Sequence, residues 1–259
     1  MRRRLITGIA ILLTGAALLL ASCGSDGGDT PEEADKKETG AEEATQTPEA
    51  PTEDKEMTND PKLLYMGHAS IRIVTGEGKV IYIDPFAGDA YDLPADLILV
   101  THAHFDHTAL DLIKDRSDDC RVITQKEALK EKDFDLDYVK VKAVEAGNNK
   151  NHDIHECVGY VLTFSNGRKV YVSGDTSTTD QMSQLADEEI DYAFFCCDGV
   201  YNMDLDEAAK CAELVGAKHN IPYHIVAADD PDHFDRKRAE KFNAPNKMIL
   251  EPGEEIDIE

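Results

Sequence analysis

The segment that decides the fold is Leu97-Ile-Leu-Val-Thr-His-Ala-His-Phe-Asp-His107, where an apolar strand runs directly into a polar loop. Side chains two positions apart on an extended chain point to the same side, so His102 and His104 project together. Asp106 and His107 follow where the chain turns into the next element. Protonated imidazoles at this spacing would repel one another, whereas a divalent cation takes neutral imidazole as a ligand. The segment therefore predicts a metal site at the end of a buried strand.

Short β-rich runs surround this segment and predict a domain with more strands than helices. The predicted strands are 63–66, 70–74, 80–84, 97–101, 122–124, 138–144, 158–164, 169–173, 192–196 and 248–250. Hairpins come early in the chain, and strands alternate with helices later. This order is typical of sheets that are covered by helices on their outer faces.

The clearest predicted helix spans 204–216. Asp204 is its predicted N-cap, Glu207 completes a capping box three residues later, and Gly216 is the predicted stop. Thr178 and Gln181 repeat the capping signature at the start of a second helix. Further helical patterns follow His107, Gln125 and His233.

Five short motifs extend the pattern of the central segment. They are Gly-His-Ala-Ser at 67–70, Asp-Pro at 84–85, Val-Gly-Tyr at 158–160, Gly-Asp-Thr at 174–176 and Asp-Gly-Val-Tyr-Asn-Met at 198–203. Together with the His-x-His-x-Asp-His pattern at 102–107, they resemble the metallo-β-lactamase superfamily over residues 62–255. Within it they look most similar to the branch that contains ascorbate-6-phosphate lactonase. The resemblance implies an α/β (α+β) fold, a four-layer αββα sandwich.

The resemblance also implies two divalent metal ions, zinc by preference, with manganese or iron as other candidates for a nitrogen and oxygen ligand set. The implied ligands are His102, His104 and His152 for the first ion, Asp106, His107 and His224 for the second, and Asp175 as a bridge. His155 is an alternative to His152 in the same loop. His219 and His233 are close to His224 in the sequence. His219 is more typical of a strand entry, and His233 of a helix N-terminus.

Two further residues are implied to support the site. His68 is implied to line it near the substrate, with a satisfied core histidine as the alternative. Asp84 is implied to orient a metal-bound histidine through its other ring nitrogen, with a plain turn before Pro85 as the alternative.

The predicted activity is hydrolysis of a small-molecule lactone, phosphodiester or related ester or amide by a metal-activated water. Asp106 and Asp175 are the implied catalytic residues that hold this water, and His68 is an implied proton donor to the leaving group. Two alternatives from other classes stay open. One is a non-catalytic metal- or ligand-binding lipoprotein on the same fold, and the other is a single-iron sulfur dioxygenase.

The N-terminus has the layout of a secretory signal. Three arginines at 2–4 precede an uncharged apolar run at 5–21, which ends in Leu20-Ala-Ser-Cys23. This ending resembles the lipobox of bacterial lipoproteins, in which the chain is cut before the cysteine and the new N-terminal Cys23 carries a lipid. A short uncleaved membrane anchor is the alternative. Either interpretation predicts a protein on the extracytoplasmic face of the membrane.

The 259 residues carry a formal net charge of −25. Residues 24–60 are strongly acidic and contain no aromatic residue, a composition that predicts a disordered tether. We therefore divide the chain into a signal at 1–22, a lipidated cysteine and tether at 23–60, and a hydrolase domain at 61–259. The domain is acidic too, which argues against nucleic acid as a partner.

A Cys23→Ala variant tests the predicted anchor. It should leave the precursor uncut or release the protein from the membrane fraction, because this cysteine is the single predicted acylation site. Cell fractionation and the mass of the N-terminal peptide measure the outcome, with Cys120→Ala as the control. A wild-type protein found in the cytoplasm with Met1 retained would contradict the prediction.

Overall fold

The structure is a computed structural model that describes residues 60–226 and 234–259. The predicted signal, Cys23 and nearly all of the predicted tether lie outside these ranges, as does His233. Within the described ranges, no helix has the length and apolar character needed to cross a bilayer.

The first sheet has six strands. They are β1 (Lys62–Gly67), β2 (Ser70–Val74), β3 (Val80–Ile83), β4 (Ala95–Leu99), β5 (Arg116–Ile123) and β12 (Glu255–Asp257). Their spatial order is β12-β1-β2-β3-β4-β5. Neighbours are antiparallel from β12 to β3 and parallel from β3 to β5.

The second sheet also has six strands and repeats this plan. They are β6 (Asp133–Leu136), β7 (Val139–Glu145), β8 (Val158–Phe164), β9 (Lys169–Val172), β10 (Tyr192–Cys196) and β11 (His219–Tyr223). Their order is β11-β10-β9-β8-β7-β6. Neighbours are antiparallel from β6 to β9 and parallel from β9 to β11.

The core lies between the sheets, and alternation along the strands explains how both faces of the first sheet are buried. Leu63 and Tyr65 of β1 belong to the large cluster that joins the two sheets. The alternate residues Leu64 and Met66 belong to a smaller cluster on the outer face, where Ile113 from the segment after β4 covers them.

The helices are α1 (Gln125–Ala128), α2 (Leu205–Val215) and α3 (Arg236–Ala239). α2 confirms its sequence prediction, because the Asp204 carboxylate accepts the Glu207 N–H at 2.8 Å and Gly216 ends the helix at φ 68°. Its buried residues join the large cluster. Two mixed sheets flanked by helices confirm the predicted fold class.

Two helix predictions were wrong in detail. The pattern after His107 forms no α-helix; the chain makes one 3-10 turn at Phe105–His107 and then further turns. The second predicted helix is a 3-10 helix at Asp180–Glu188 that its predicted capping pair does not cap. Instead, the Thr178 hydroxyl donates to the Glu207 carboxylate at 3.0 Å, and the Gln181 side-chain oxygen accepts the Glu145 N–H at 2.7 Å. Tertiary partners thus replaced the local cap.

The predicted strand at 248–250 was also wrong. Asn246 has a left-handed backbone (φ 47°), and the chain meets β11 only at a single bridge between Lys247 and Asn220. By contrast, β6, β11 and β12 were not predicted, and β5 is longer than predicted. All four lie at sheet edges, where polar residues and Pro222 interrupt the apolar pattern.

Candidate metal centre

The candidate site lies where the parallel strands of both sheets end. Carboxyl ends of parallel strands meet at one edge of a sheet, and here two such edges face each other. The turn after β1 carries His68, and the segments after β3, β4, β7, β9, β10 and β11 carry the remaining residues: Asp84, His102, His104, Asp106, His107, His152, Asp175, Asp198 and His224.

Main-chain hydrogen bonds join the two sheets at this edge. The His224 N–H donates to the His68 carbonyl at 2.9 Å, and the Val158 N–H donates to the Thr101 carbonyl at 2.9 Å. His68, Asp84 and His224 have left-handed backbones at φ 48°, 45° and 48°. Such conformations cost free energy in non-glycine residues and persist where the surroundings impose them, often at functional sites. The site is therefore built into the junction of the sheets.

One group of donor atoms comes from His102, His104 and His152, whose ligand atoms lie within 4.8 Å of one another. His104 Nδ1 is 3.2 Å from His152 Nε2. His152 is buried in this group, whereas His155 is exposed on the neighbouring turn. The structure thus brings His152, and not the alternative His155, to the cluster.

A second group comes from His68, Asp106, His107 and His224, again within 4.8 Å. Of the alternatives to His224, His219 lies at the start of β11 and stacks on Tyr192 at a ring-centroid distance of 4.8 Å, away from the group.

Asp175 lies between the two groups. Its Oδ2 is 3.3 Å from His152 Nε2 and 3.4 Å from His224 Nε2, and its Oδ1 is 3.5 Å from His107 Nε2. Burial opposes a negative charge, but the His224 and His107 imidazoles hold the pKa of Asp175 well below its usual range. The carboxylate therefore stays ionised in contact with both groups.

Acceptors contact the outer ring nitrogens of His102, His107 and His152. Asp84 Oδ2 accepts the Thr101 hydroxyl at 2.6 Å and contacts His107 Nδ1 at 2.9 Å. Because its proton goes to Asp84, the Thr101 oxygen can only accept from His102 Nδ1, 3.1 Å away. His152 Nδ1 likewise contacts the Asn149 side-chain oxygen at 3.3 Å. These contacts orient the rings so that their Nε2 atoms face the shared space, as hydrogen-bond partners of metal-bound histidines do.

Burial also sets the protonation of the rings. It lowers the pKa of His102 to about 2, with further lowering by the His107 imidazole. Burial is also the main cause that lowers the pKa of His152. At His107 burial acts in the same direction, but the Asp175 and Asp84 carboxylates outweigh it and raise the pKa well above the usual range. His102 and His152 are thus neutral donors near pH 7.

The structure places the His68 side chain against Asp106. Its side chain is fully buried, and its Nε2 is 3.1 Å from Asp106 Oδ2. Burial lowers the pKa of His68 to about 4, so the ring is neutral near pH 7 and donates its one proton to Asp106. The hydrogen bond from His68 helps hold the pKa of Asp106 below its usual range against the effect of burial. His68 is therefore a positioning residue for Asp106.

Sequence reasoning assigned no role to Asn202 and Asp198, although it quoted their motif. The Asn202 amide donates to Asp175 Oδ2 at 2.8 Å and to Asp198 Oδ2 at 2.7 Å. Asp198 Oδ2 in turn is 3.5 Å from His224 Nδ1. Gly199, which follows Asp198, has a left-handed backbone (φ 71°), a conformation that favours glycine. The segment at 198–203 thus holds the Asp175 carboxylate and lies beside His224.

A cleft of about 520 Å³ opens onto the site, within the usual size range of small-molecule pockets. It is lined by His104, Phe105, Asp106, Asn151, His152, Asp175, Tyr201 and His224. Part of the ligand cluster therefore faces an opening large enough for a small molecule.

Sequence comparison finds relatives over most of this domain. Residues 62–224 match the family described as the beta-lactamase superfamily domain. A UPF0173 metal-dependent hydrolase of Natranaerobius thermophilus is 30% identical over 226 residues, which cover 76% of this chain and 99% of the relative. A protein of the same name from Alkaliphilus metalliredigens is 32% identical over 204 residues, covering 67% and 91%.

Solved structures agree with these matches. The crystal structure of a protein described as a metal-dependent hydrolase from Parabacteroides distasonis superposes with a TM-score of 0.60 at 29% identity, covering 72% of this chain and 91% of that chain. Igni18, a metallo hydrolase of Ignicoccus hospitalis, gives a TM-score of 0.59 at 21% identity, which is a likeness of fold.

Replacing Asn202 tests its support of Asp175. Asn202→Leu is similar in size but cannot donate, so the affinity for zinc should fall by about tenfold to a hundredfold. Zinc titration of the metal-free protein measures the affinity. Asn243→Leu, at an exposed position, is the matched control; an equal affinity in both variants would contradict the role of Asn202.

The two histidines of the β7–β8 loop provide a matched pair. His152→Ala should lose at least one divalent ion per chain, because a buried donor of the cluster is removed, whereas His155→Ala should keep the wild-type content. Elemental analysis of the purified proteins gives the answer. Loss of metal in His155→Ala alone would move the ligand to His155.

Proposed function

Because this chain belongs to the metallo-β-lactamase superfamily and to its UPF0173 metal-dependent hydrolases, we propose that it is a binuclear hydrolase. In this proposal it activates water at two divalent ions to cleave an ester, lactone or phosphodiester. Relatives named metal-dependent hydrolases support the enzyme class. The number of ions rests on the residues of the site.

The observation that carries the proposal is a set of buried donor atoms without a hydrogen-bond partner among the described residues. They are His102 Nε2, His107 Nε2, His224 Nε2 and Asp175 Oδ1. A buried polar atom that lacks a partner costs roughly 1–3 kcal/mol, so four of them in one place would destabilise the fold. Divalent cations would satisfy all four, and imidazole with carboxylate is a ligand set that zinc accepts.

The geometry supports two ions better than one. His102, His104 and His152 would hold the first, and Asp106, His107 and His224 the second. Asp175 contacts rings of both groups, so its carboxylate would serve both ions. His68 belongs to the second group by distance, but its hydrogen bond to Asp106 favours the positioning role.

When bound, the ions supply Lewis acidity, which makes water a better nucleophile near neutral pH and stabilises negative charge on the substrate oxygen. The residues of this chain supply position and proton acceptance. Asp106 lines the cleft and stays ionised, so it can accept a hydrogen bond from the attacking water. His68 fixes the orientation of Asp106, while Asp84 and Thr101 fix those of His107 and His102. Such preorganisation lowers the barrier because no group must reorient during the reaction.

We also propose that the enzyme is held at the extracytoplasmic face of the membrane through a lipid on Cys23. The basic, apolar and small-residue order of 2–23 supports this location. The acidic segment at 24–60 would then act as a self-repelling spacer between membrane and domain.

An Asp175→Asn variant separates an enzyme from a metal-binding protein. The amide keeps the shape and the contact with Asn202 but removes the bridging charge, so turnover should fall by about a hundredfold or more while the fold persists. Hydrolysis of a panel of lactone, ester and phosphodiester substrates, circular dichroism and metal content are measured together. Wild-type protein that holds two ions but cleaves none of the panel, or undiminished activity in the variant, would argue against the hydrolase.

A further inference from the structure

Two aromatic side chains flank the open side of the cleft. Phe105 is 69% exposed and Tyr201 is 50% exposed, and both line the cleft together with the metal-ligand candidates. Large exposed apolar side chains are uncommon in this domain: among the described residues just three are at least 50% exposed, and Phe105 and Tyr201 are two of them. Their position at the mouth of a pocket indicates a role in binding.

Ring packing positions Phe105, and hydrogen bonds of its main chain position Tyr201. Phe105 packs edge-to-face on Phe86 at 5.7 Å, and Phe86 packs in the same way on His68 at 5.3 Å. The Tyr201 N–H donates to the Asp198 carboxylate at 2.7 Å, and the Tyr201 carbonyl accepts from the Asn151 side chain at 3.0 Å. The residues that hold the metal ligands therefore also hold the aromatic pair, and an apolar group bound there would lie at a defined place relative to the reacting centre.

The charge of the cleft limits what can bind. The two aspartates of its lining are proposed metal ligands, and beyond them the lining offers no lysine or arginine among the described residues to pair with an anionic substituent. Sites for phosphate and carboxylate groups usually offer such a cation, often an arginine in bidentate contact. The chain as a whole is also acidic, at −25, and repels anions at long range.

We propose that the substrate is an uncharged carboxylic ester or lactone whose apolar substituent packs between Phe105 and Tyr201. This inference rests on the proposed hydrolase function. Hydrolysis forms a bond from the water oxygen to the carbonyl carbon, breaks the acyl C–O bond and gives one water proton to the departing alcohol oxygen. In this arrangement the metal-ligand cluster acts on the carbonyl group, and the aromatic pair binds the apolar substituent.

The test uses the full chain loaded with zinc and a series of p-nitrophenyl esters. kcat/KM should rise by about tenfold or more from acetate to octanoate, because each methylene that packs on the aromatic pair adds binding energy. The anionic hemisuccinate should react more slowly than the neutral butyrate of similar length.

Three variants locate the effect. Phe105→Ala and Tyr201→Ala should each lower the ratio of octanoate to acetate kcat/KM by about threefold or more, whereas Tyr201→Phe should keep it because the aromatic surface remains. Leu214→Ala, which removes an exposed apolar side chain of α2 outside the cleft, is the control. No hydrolysis of any ester by the metal-loaded protein would overturn the proposed function itself. Hydrolysis with a flat ratio, a preference for the hemisuccinate, or variants equal to wild type would overturn this inference alone.

Discussion

The structure of the site depends on the negative charge of Asp175, which is buried at the junction of the two sheets. An isolated buried carboxylate is costly because it loses its hydration. Here the Asn202 amide and the rings of His107, His152 and His224 lie within 3.5 Å of its oxygens. These partners come from four separate segments that follow strands of both sheets. The charge is stable only where all four segments meet, so site and fold depend on each other.

Asp84 is a second buried carboxylate that joins several segments, and it lies behind the ligand histidines. It accepts from Thr101 through both the main-chain N–H and the hydroxyl, and it contacts His107. Its left-handed backbone is maintained by the Ser70 hydroxyl, which donates to the Asp84 carbonyl at 2.7 Å. The Asp84 carboxylate thus orients two histidine rings. It contacts His107 directly, and it acts on His102 through the Thr101 hydroxyl. The precision of the ligand cluster comes from this outer layer, since ligands on loops need supports that fix their orientation.

The segment at 198–203 connects the interior of the site to its mouth. Asp198 and Asn202 contact His224 and Asp175, while Tyr201 between them faces the cleft. The Arg238 guanidinium holds the start of this segment through the carbonyls of Cys197 and Asp198, at 3.0 and 2.9 Å. A change in this short segment would therefore alter metal geometry and substrate contact together. The two are coupled because one loop contacts both the metal-ligand candidates and the cleft.

The sequence by itself determined the inner strands and the chemical identity of the ligand set. Strands such as β3 and β10 are buried along their whole length, so their apolar runs are uninterrupted in the sequence. The spacing of His102, His104, Asp106 and His107 is likewise local. Tertiary structure alone decided the edge strands, the 3-10 form of 180–188 and the position of His68. Edge strands carry polar residues on their exposed side, and Gln181 and Thr178 are used by distant partners rather than by their own helix. Whether His68 faces substrate or Asp106, and that Asn202 supports Asp175, depends on how two sheets meet, which no local pattern encodes.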